Sequence, residues 1–166
     1  MNIAVQLEPT TGSPPAVEFR WDTDTDILTA RLEATDDAVG PSGSLELEGS
    51  DGAWLILDVV KGRILGLEVA VWPDVQKHPT LSVPVPEEDA RVVVPHRASQ
   101  PGAVLLEVET ALLAESDEAE RTIHFRVGPK RDVRTVRLGR DLLLDVDPQS
   151  RIAGLWLLNV PPFPSS

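Results

Sequence analysis

Apolar and polar residues alternate in short stretches along this chain, and nowhere do they keep the three-and-four spacing of a long amphipathic helix. Alternation over 16–22, 26–33, 121–127 and 132–138 predicts strands with one buried face, and Ser44-Leu45-Glu46-Leu47-Glu48 predicts a further half-exposed strand. Residues 53–60 and 141–146 are nearly continuous apolar runs, as suits strands covered on both faces; 63–71 and 151–159 complete the set. Lys61-Gly62 reads as a hairpin turn, and Gly40-Pro41-Ser42-Gly43 and Gly49-Ser50-Asp51-Gly52 bracket residues 44–48. Residues 91–95 and 103–113 predict one more hairpin. Leu105 to Leu113 nearly fits either period, but β-branched neighbours and flanking prolines favour a strand over a short helix. Val, Ile and Thr dominate these segments and 15 prolines and 11 glycines punctuate them, so the expected class is all-β.

Part of the pattern is written twice. Residues 19–32 and 125–138 align without a gap and are identical at six of fourteen positions: Phe19/Phe125, Arg20/Arg126, Asp26/Asp132, Thr29/Thr135, Arg31/Arg137 and Leu32/Leu138. The copies resume as Asp58-Val59 with Arg63-Ile64-Leu65-Gly66-Leu67, against Asp145-Val146 with Arg151-Ile152-Ala153-Gly154-Leu155. Leu32 to Asp58 encloses 25 residues and Leu138 to Asp145 only 6, so the strand at 44–48 is expected to be an insertion in the first copy. Each copy reads as an antiparallel meander. The duplicated pair predicts a two-layer sandwich or partly closed barrel with pseudo-twofold symmetry. Residues 1–166 are expected to form a single domain, with copy 1 over about 16–72, a connecting segment over about 73–120 and copy 2 over about 121–160. Gly66 and Gly154, inside apolar strands, predict a bulge or a close backbone approach. Pro73, Pro79, Pro84 and Pro86 make 72–90 a long loop or linker, and the tail from Pro161 to Ser166 is expected to end in disorder.

These residues resemble a family of small bacterial proteins of unknown function. Its pattern is an aromatic-Asp pair, an Asp opening an apolar strand, a strand ending in Asp, and a Gly-Arg-apolar-apolar-Gly-apolar-Glu finish. Here the corresponding residues are Trp21-Asp22, Asp26-Ile27-Leu28, Leu57-Asp58 and Gly62-Arg63-Ile64-Leu65-Gly66-Leu67-Glu68. The second copy keeps Asp132, Asp145, Arg151-Ile152 and Gly154-Leu155, and departs at Val127-Gly128 and Trp156. The resemblance implies a compact β unit and no particular reaction.

Charge divides the chain. Its net charge is −12, but residues 1–120 hold 7 basic and 23 acidic residues (−16), and residues 121–166 hold 8 basic and 4 acidic (+4). Overall acidity argues against nucleic acid and anionic membranes as partners. The basic run Arg121, Arg126, Lys130, Arg131, Arg134, Arg137 and Arg140 is the exception, readable as an anion or RNA patch. Cross-strand pairing with the acidic half, in this or a second molecule, is the stronger reading, because aromatic residues for base stacking are scarce there. With no cysteine there is no disulfide, thiolate metal site or cysteine nucleophile. The N-terminus lacks a basic region followed by an apolar core and no apolar run reaches spanning length, so a cytoplasmic protein is expected.

Candidate chemistry is thin. Asp22, Asp24, Asp26 and Glu33 have the 1, 3, 5, 12 spacing of a calcium loop, but position 6 is Ile27 where that loop needs Gly, and the flanks read as strands. Turn-stabilising aspartates are the simpler reading, so no metal and no cofactor is assigned. Trp72-Pro73-Asp74 looks like the acid loop of tyrosine phosphatases, whose chemistry needs the missing cysteine; Trp72 is expected to be a core or interface aromatic. His124 shares a strand face with Thr122 and Arg126 and is expected to face solvent; His78 and His96 lie in proline-rich loops, and no pair has zinc-ligand spacing. Asp58, Asp145 and Asp147 end buried-looking strands and could supply an acid/base pair across the pseudo-twofold, although such aspartates more often accept backbone hydrogen bonds at turns. No catalytic constellation emerges. The expected function is a noncatalytic protein-interaction or scaffold module with a protein partner or homo-oligomer. The alternative is a small-ligand or metal-ion binder, or a hydrolase, with a cleft between the copies lined by Trp21, Trp54 or Trp156.

Overall fold

The computed structural model describes residues 3–33, 42–95 and 104–164. Among them it forms fourteen strands and no helix. β1 spans Gln6–Pro9, β2 Val17–Asp22, β3 Ile27–Leu32, β4 Gly43–Glu48, β5 Trp54–Val60, β6 Arg63–Val71 and β7 Val75–Lys77. β8 spans Glu88–Val93, β9 Val104–Glu109, β10 Leu112–Ser116, β11 Ile123–Val127, β12 Arg134–Gly139, β13 Leu142–Val146 and β14 Ile152–Leu157. The segment that fits either period is therefore extended, as two strands interrupted at Thr110-Ala111.

The strands join into one curled, half-barrel sheet in the order β7-β10-β11-β14-β13-β12-β8-β6-β5-β4-β9, with β1 on β8 and β3 joining β2 to β6. Two five-strand runs within it are paired alike, antiparallel throughout. β3 lies between β2 and β6, and β5 between β6 and β4. Likewise β11 lies between β10 and β14, and β13 between β14 and β12. This is not the equivalence expected from the fourteen-residue match, which would set β2–β3 against β11–β12. β2 and β3 do form a hairpin, but β11 pairs with β10 and β14, and residues 128–133 carry the chain past β14 and β13 to β12. β4, expected as an insertion, pairs with β5 as β12 pairs with β13. The expected hairpin of 91–95 with 103–113 is also corrected: β8 pairs with β1, β6 and β12, and β9 with β4. The physical reason is common to both cases. Alternation fixes which face a strand buries, but not which strand it lies beside.

Where turn chemistry is explicit, the expected hairpin forms. Lys61 and Gly62 both adopt positive φ (51° and 81°), the geometry of a two-residue turn whose twist matches its flanking strands. In the β5–β6 hairpin Asp58 lies opposite Gly66, and in the β13–β14 hairpin Asp145 lies opposite Gly154; the ladder shifts register directly after each aspartate. A bulge beside a glycine is thus present at the same place in both.

Both runs bury one face in a single apolar cluster, which includes Leu28, Leu45, Leu57 and Val69 from the first and Phe125, Val136, Leu144 and Leu155 from the second. Phe125 is fully buried, whereas Phe19 is half-buried at its margin, so the two matched phenylalanines sit in different surroundings. Trp72 bridges the halves, stacking on Trp21 at 5.7 Å and packing on Phe125 at 5.8 Å between ring centroids. The C-terminal tail is docked through Phe163, which packs edge-on against Trp21 at 5.2 Å, while the Trp21 indole N–H donates to the Pro161 carbonyl at 2.8 Å. The expectation of disorder is corrected that far; Ser165 and Ser166 lie outside the described residues.

Candidate functional site: a groove over the second run

Leu143, Ala153 and Trp156 are buried yet lie outside the apolar cluster, because they belong to the other face of the second run. Strand pairing lines up that face: His124 with Trp156 and Leu143, Arg126 with Gly154, Asp145 and Thr135. Asp145 is its centre. Only 4% of the residue is exposed. The Thr135 hydroxyl donates to Oδ1 at 2.6 Å, His124 Nε2 donates to Oδ2 at 3.0 Å, and the Trp156 indole N–H reaches both oxygens at 3.3 and 3.2 Å. The His124 ring stacks on Trp156 with centroids 4.1 Å apart. A buried carboxylate needs several donors to replace lost hydration, and here β11, β12 and β14 each supply one to an acceptor on β13.

Gly154 makes this contact possible. A Cβ there would come within 2.7 Å of Asp145 Oδ2, 2.9 Å of His124 Nε2 and 2.9 Å of the Phe125 carbonyl. At Gly66 the tightest approaches are looser, 3.1 Å to the Ala30 carbonyl and 3.3 Å to Asp58 Oδ2. In the first run the positions corresponding to His124 and Trp156 are Thr29 and Glu68, facing each other across β3 and β6.

The 128–133 connection forms a wall over this floor. Arg131 pins it: Nε donates to Asp147 Oδ2 at 3.0 Å, Nη1 to the Val127 and Pro129 carbonyls, and Nη2 to the Ile152 carbonyl. Arg151 donates to the same Asp147 oxygen at 2.8 Å, and the Gln149 and Arg151 amides close on Oδ1. Burial alone would raise the Asp147 carboxyl, but the Arg151 amide and the Arg131 and Arg151 side chains outweigh it and hold the group at about 2. Arg131 and Asp147 are thus a structural clasp.

Between wall and floor lies a groove of about 290 Å³, lined by Leu113, Glu115, His124, Arg126, Pro129, Lys130, Arg131, Val133, Asp145 and Ala153. Leu113 and Val133, 47% and 46% exposed, form an apolar lip. Among the described residues Arg126 forms no ion pair, and its buried Nε has no hydrogen-bond partner. Buried polar groups in native proteins are nearly always satisfied, so the unmet Nε sets Arg126 apart from the fully engaged Arg131 beside it.

The structure separates most of the residues singled out in the sequence. Asp22, Asp24 and Asp26 are exposed in the β2–β3 turn, where Asp22 Oδ1 accepts from the Asp24 amide at 2.9 Å, the expected turn chemistry. Glu33 follows β3 at the opposite end of that hairpin, beside a separate hollow of about 300 Å³ that also involves Arg63, Arg91 and Leu138. No group of carboxylates and histidines suited to a metal occurs among the described residues. His78 is exposed, 3.7 Å from Glu115, and His96 lies outside the described residues. Trp21 and Trp72 form an aromatic cluster, Trp54 is 39% exposed and Trp156 is buried, so the tryptophans do not line a common cleft.

Two expectations are corrected. His124 does not face solvent: its side chain is 17% exposed and hydrogen-bonded to Asp145. Asp145, expected to accept backbone hydrogen bonds, accepts instead from the Thr135, His124 and Trp156 side chains, whereas Asp147 does accept from the Gln149 and Arg151 amides. Of the basic run, Arg134 pairs with Glu88 at 3.3 Å and Arg137 with Asp89 at 3.5 Å, the cross-strand pairing with the acidic half that the charge division suggests. Alternation placed His124 and Arg126 on one face; no sequence signal placed Asp145 beneath them. Among the described residues no helix is long and apolar enough to cross a membrane. Set against protein-family models and against curated proteins, the chain finds no match.

Proposed function

We propose that this is a cytoplasmic, noncatalytic binding module built from a duplicated β unit, with the two similarly paired runs related by a pseudo-twofold. In this reading the first run is scaffold and the second carries a small-ligand groove. The observation that carries it is Arg126, whose buried Nε lacks a partner at a groove with a fixed floor and an apolar lip. The floor supports binding over catalysis: both Asp145 oxygens accept from donors, and among the described residues no hydroxyl or thiol lines the groove to act as a nucleophile. A pocket with apolar walls and a few convergent polar groups is the general form of a small-molecule site. The identical pairing of the two runs, with Asp opposite Gly and a register shift at the same step, supports the duplication.

Backbone NMR with a library of small neutral, anionic and cationic compounds tests the groove. Compounds that bind are expected to shift the amides of Leu113, His124, Arg126 and Val133 together. Binding confined to other parts of the molecule, or no binding across the library, would refute this assignment.

A further inference from the structure

We infer that the groove takes a small organic monocarboxylate with a compact apolar body, its carboxylate held by Arg126 with Lys130 beside it. The inference rests on the groove being the binding site.

The charge on the ligand follows from what the protein leaves unmatched. Arg131 is committed to Asp147 and three backbone carbonyls. Two protein carboxylates line the groove, and neither reaches Arg126. Asp145 is filled by donors from Thr135, His124 and Trp156. Glu115 lies 3.7 Å from His78. Among the described residues neither Arg126 nor the exposed Lys130 forms an ion pair, so both cations of the groove can offer N–H donors to a carboxylate that enters it.

The rest of the ligand follows from shape. Leu113, Val133, Pro129 and Ala153 supply apolar surface on the same groove. A volume of about 290 Å³ admits a body of roughly ten non-hydrogen atoms, at about 30 Å³ for each water displaced. Inorganic phosphate would leave that surface uncovered. A neutral alcohol would leave Arg126 unmatched.

NMR titration of the intact protein with hexanoate, 1-hexanol and inorganic phosphate, with amides as reporters, tests the assignment. Hexanoate is expected to bind saturably with the Leu113, Arg126 and Val133 signals moving, at least tenfold more tightly than hexanol or phosphate. Arg126→Gln is expected to weaken hexanoate at least tenfold with the folded spectrum retained. Lys130→Gln, at an exposed site that keeps the fold, is expected to weaken it about threefold and serves if the first variant does not fold. Hexanol matching hexanoate, or phosphate surpassing it, would overturn the carboxylate while leaving the groove as the binding site. Hexanoate binding that neither substitution alters, with shifts elsewhere, would overturn both. Failure of all three probes would overturn the ligand class, and the broader library decides the groove independently.

Discussion

Replacing Asp145 with alanine is expected to destabilise the protein by on the order of 3 kcal/mol, several times the effect of the same change at Asp58. The truncation strands the Thr135 hydroxyl, the His124 ring N–H and the Trp156 indole N–H in a site that is almost closed to water. Each buried donor left without an acceptor costs about 1–3 kcal/mol, and partial water entry beside His124 keeps the sum below three full penalties. Asp58 holds the corresponding hairpin position, but it is half-buried and accepts no side-chain hydrogen bond among the described residues, so its removal is expected to cost less than about 1 kcal/mol. Urea unfolding of the two variants decides the matter, provided the slopes stay equal so that the midpoints compare stability alone. Equal losses would mean that the Asp145 network contributes nothing particular.

The second large effect is expected at Gly154. Alanine in place of a strand glycine normally gains about 0.5–1 kcal/mol by restricting the unfolded chain. At Gly66, with its closest approaches at 3.1 and 3.3 Å, small shifts offset that gain, and Gly66→Ala is expected to be near neutral. At Gly154 three atoms lie within 2.9 Å of the new Cβ. One is the Phe125 carbonyl, fixed in the β11–β14 ladder, and the other two are the hydrogen-bonded Asp145 and His124 atoms. Relief requires either breaking that hydrogen bond or spreading the strands, so Gly154→Ala is expected to cost about 2–3 kcal/mol. Thermal or urea unfolding of the two alanine variants gives the comparison directly. A neutral Gly154→Ala would contradict the close approach.

The residues that were legible in sequence explain why others were not. The β5–β6 hairpin was readable because Lys61-Gly62 specifies its turn, and the Asp58/Gly66 and Asp145/Gly154 correspondence was readable because a bulge and a tight approach need particular residues. The six-in-fourteen match misplaced the rest. By strand pairing, the counterpart of Glu18 to Arg31 is Leu113 to Arg126, since both Glu18↔Arg31 and Leu113↔Arg126 face each other across their hairpins. Those two segments share only Asp22/Asp117 and Arg31/Arg126, so their common pairing is almost invisible as identity. Half-exposed strands draw on the same few residue types, and similar wording therefore does not identify a neighbour. The groove was less legible still. His124 and Arg126 were placed on one face by alternation, but their neighbours Asp145 and Lys130 arrive through a crossover of two strands that no local pattern encodes.

Asp145, as a filled and buried acceptor, fixes the floor of the groove. Hydrogen exchange of the four tryptophan indole N–H groups, followed by NMR in the intact protein, tests this most directly. The Trp156 N–H, which donates to Asp145, is expected to exchange slowest, opening only with global unfolding, while that of Trp54, 39% exposed, exchanges nearly unprotected. A Trp156 N–H exchanging as fast as that of Trp54 would contradict the account.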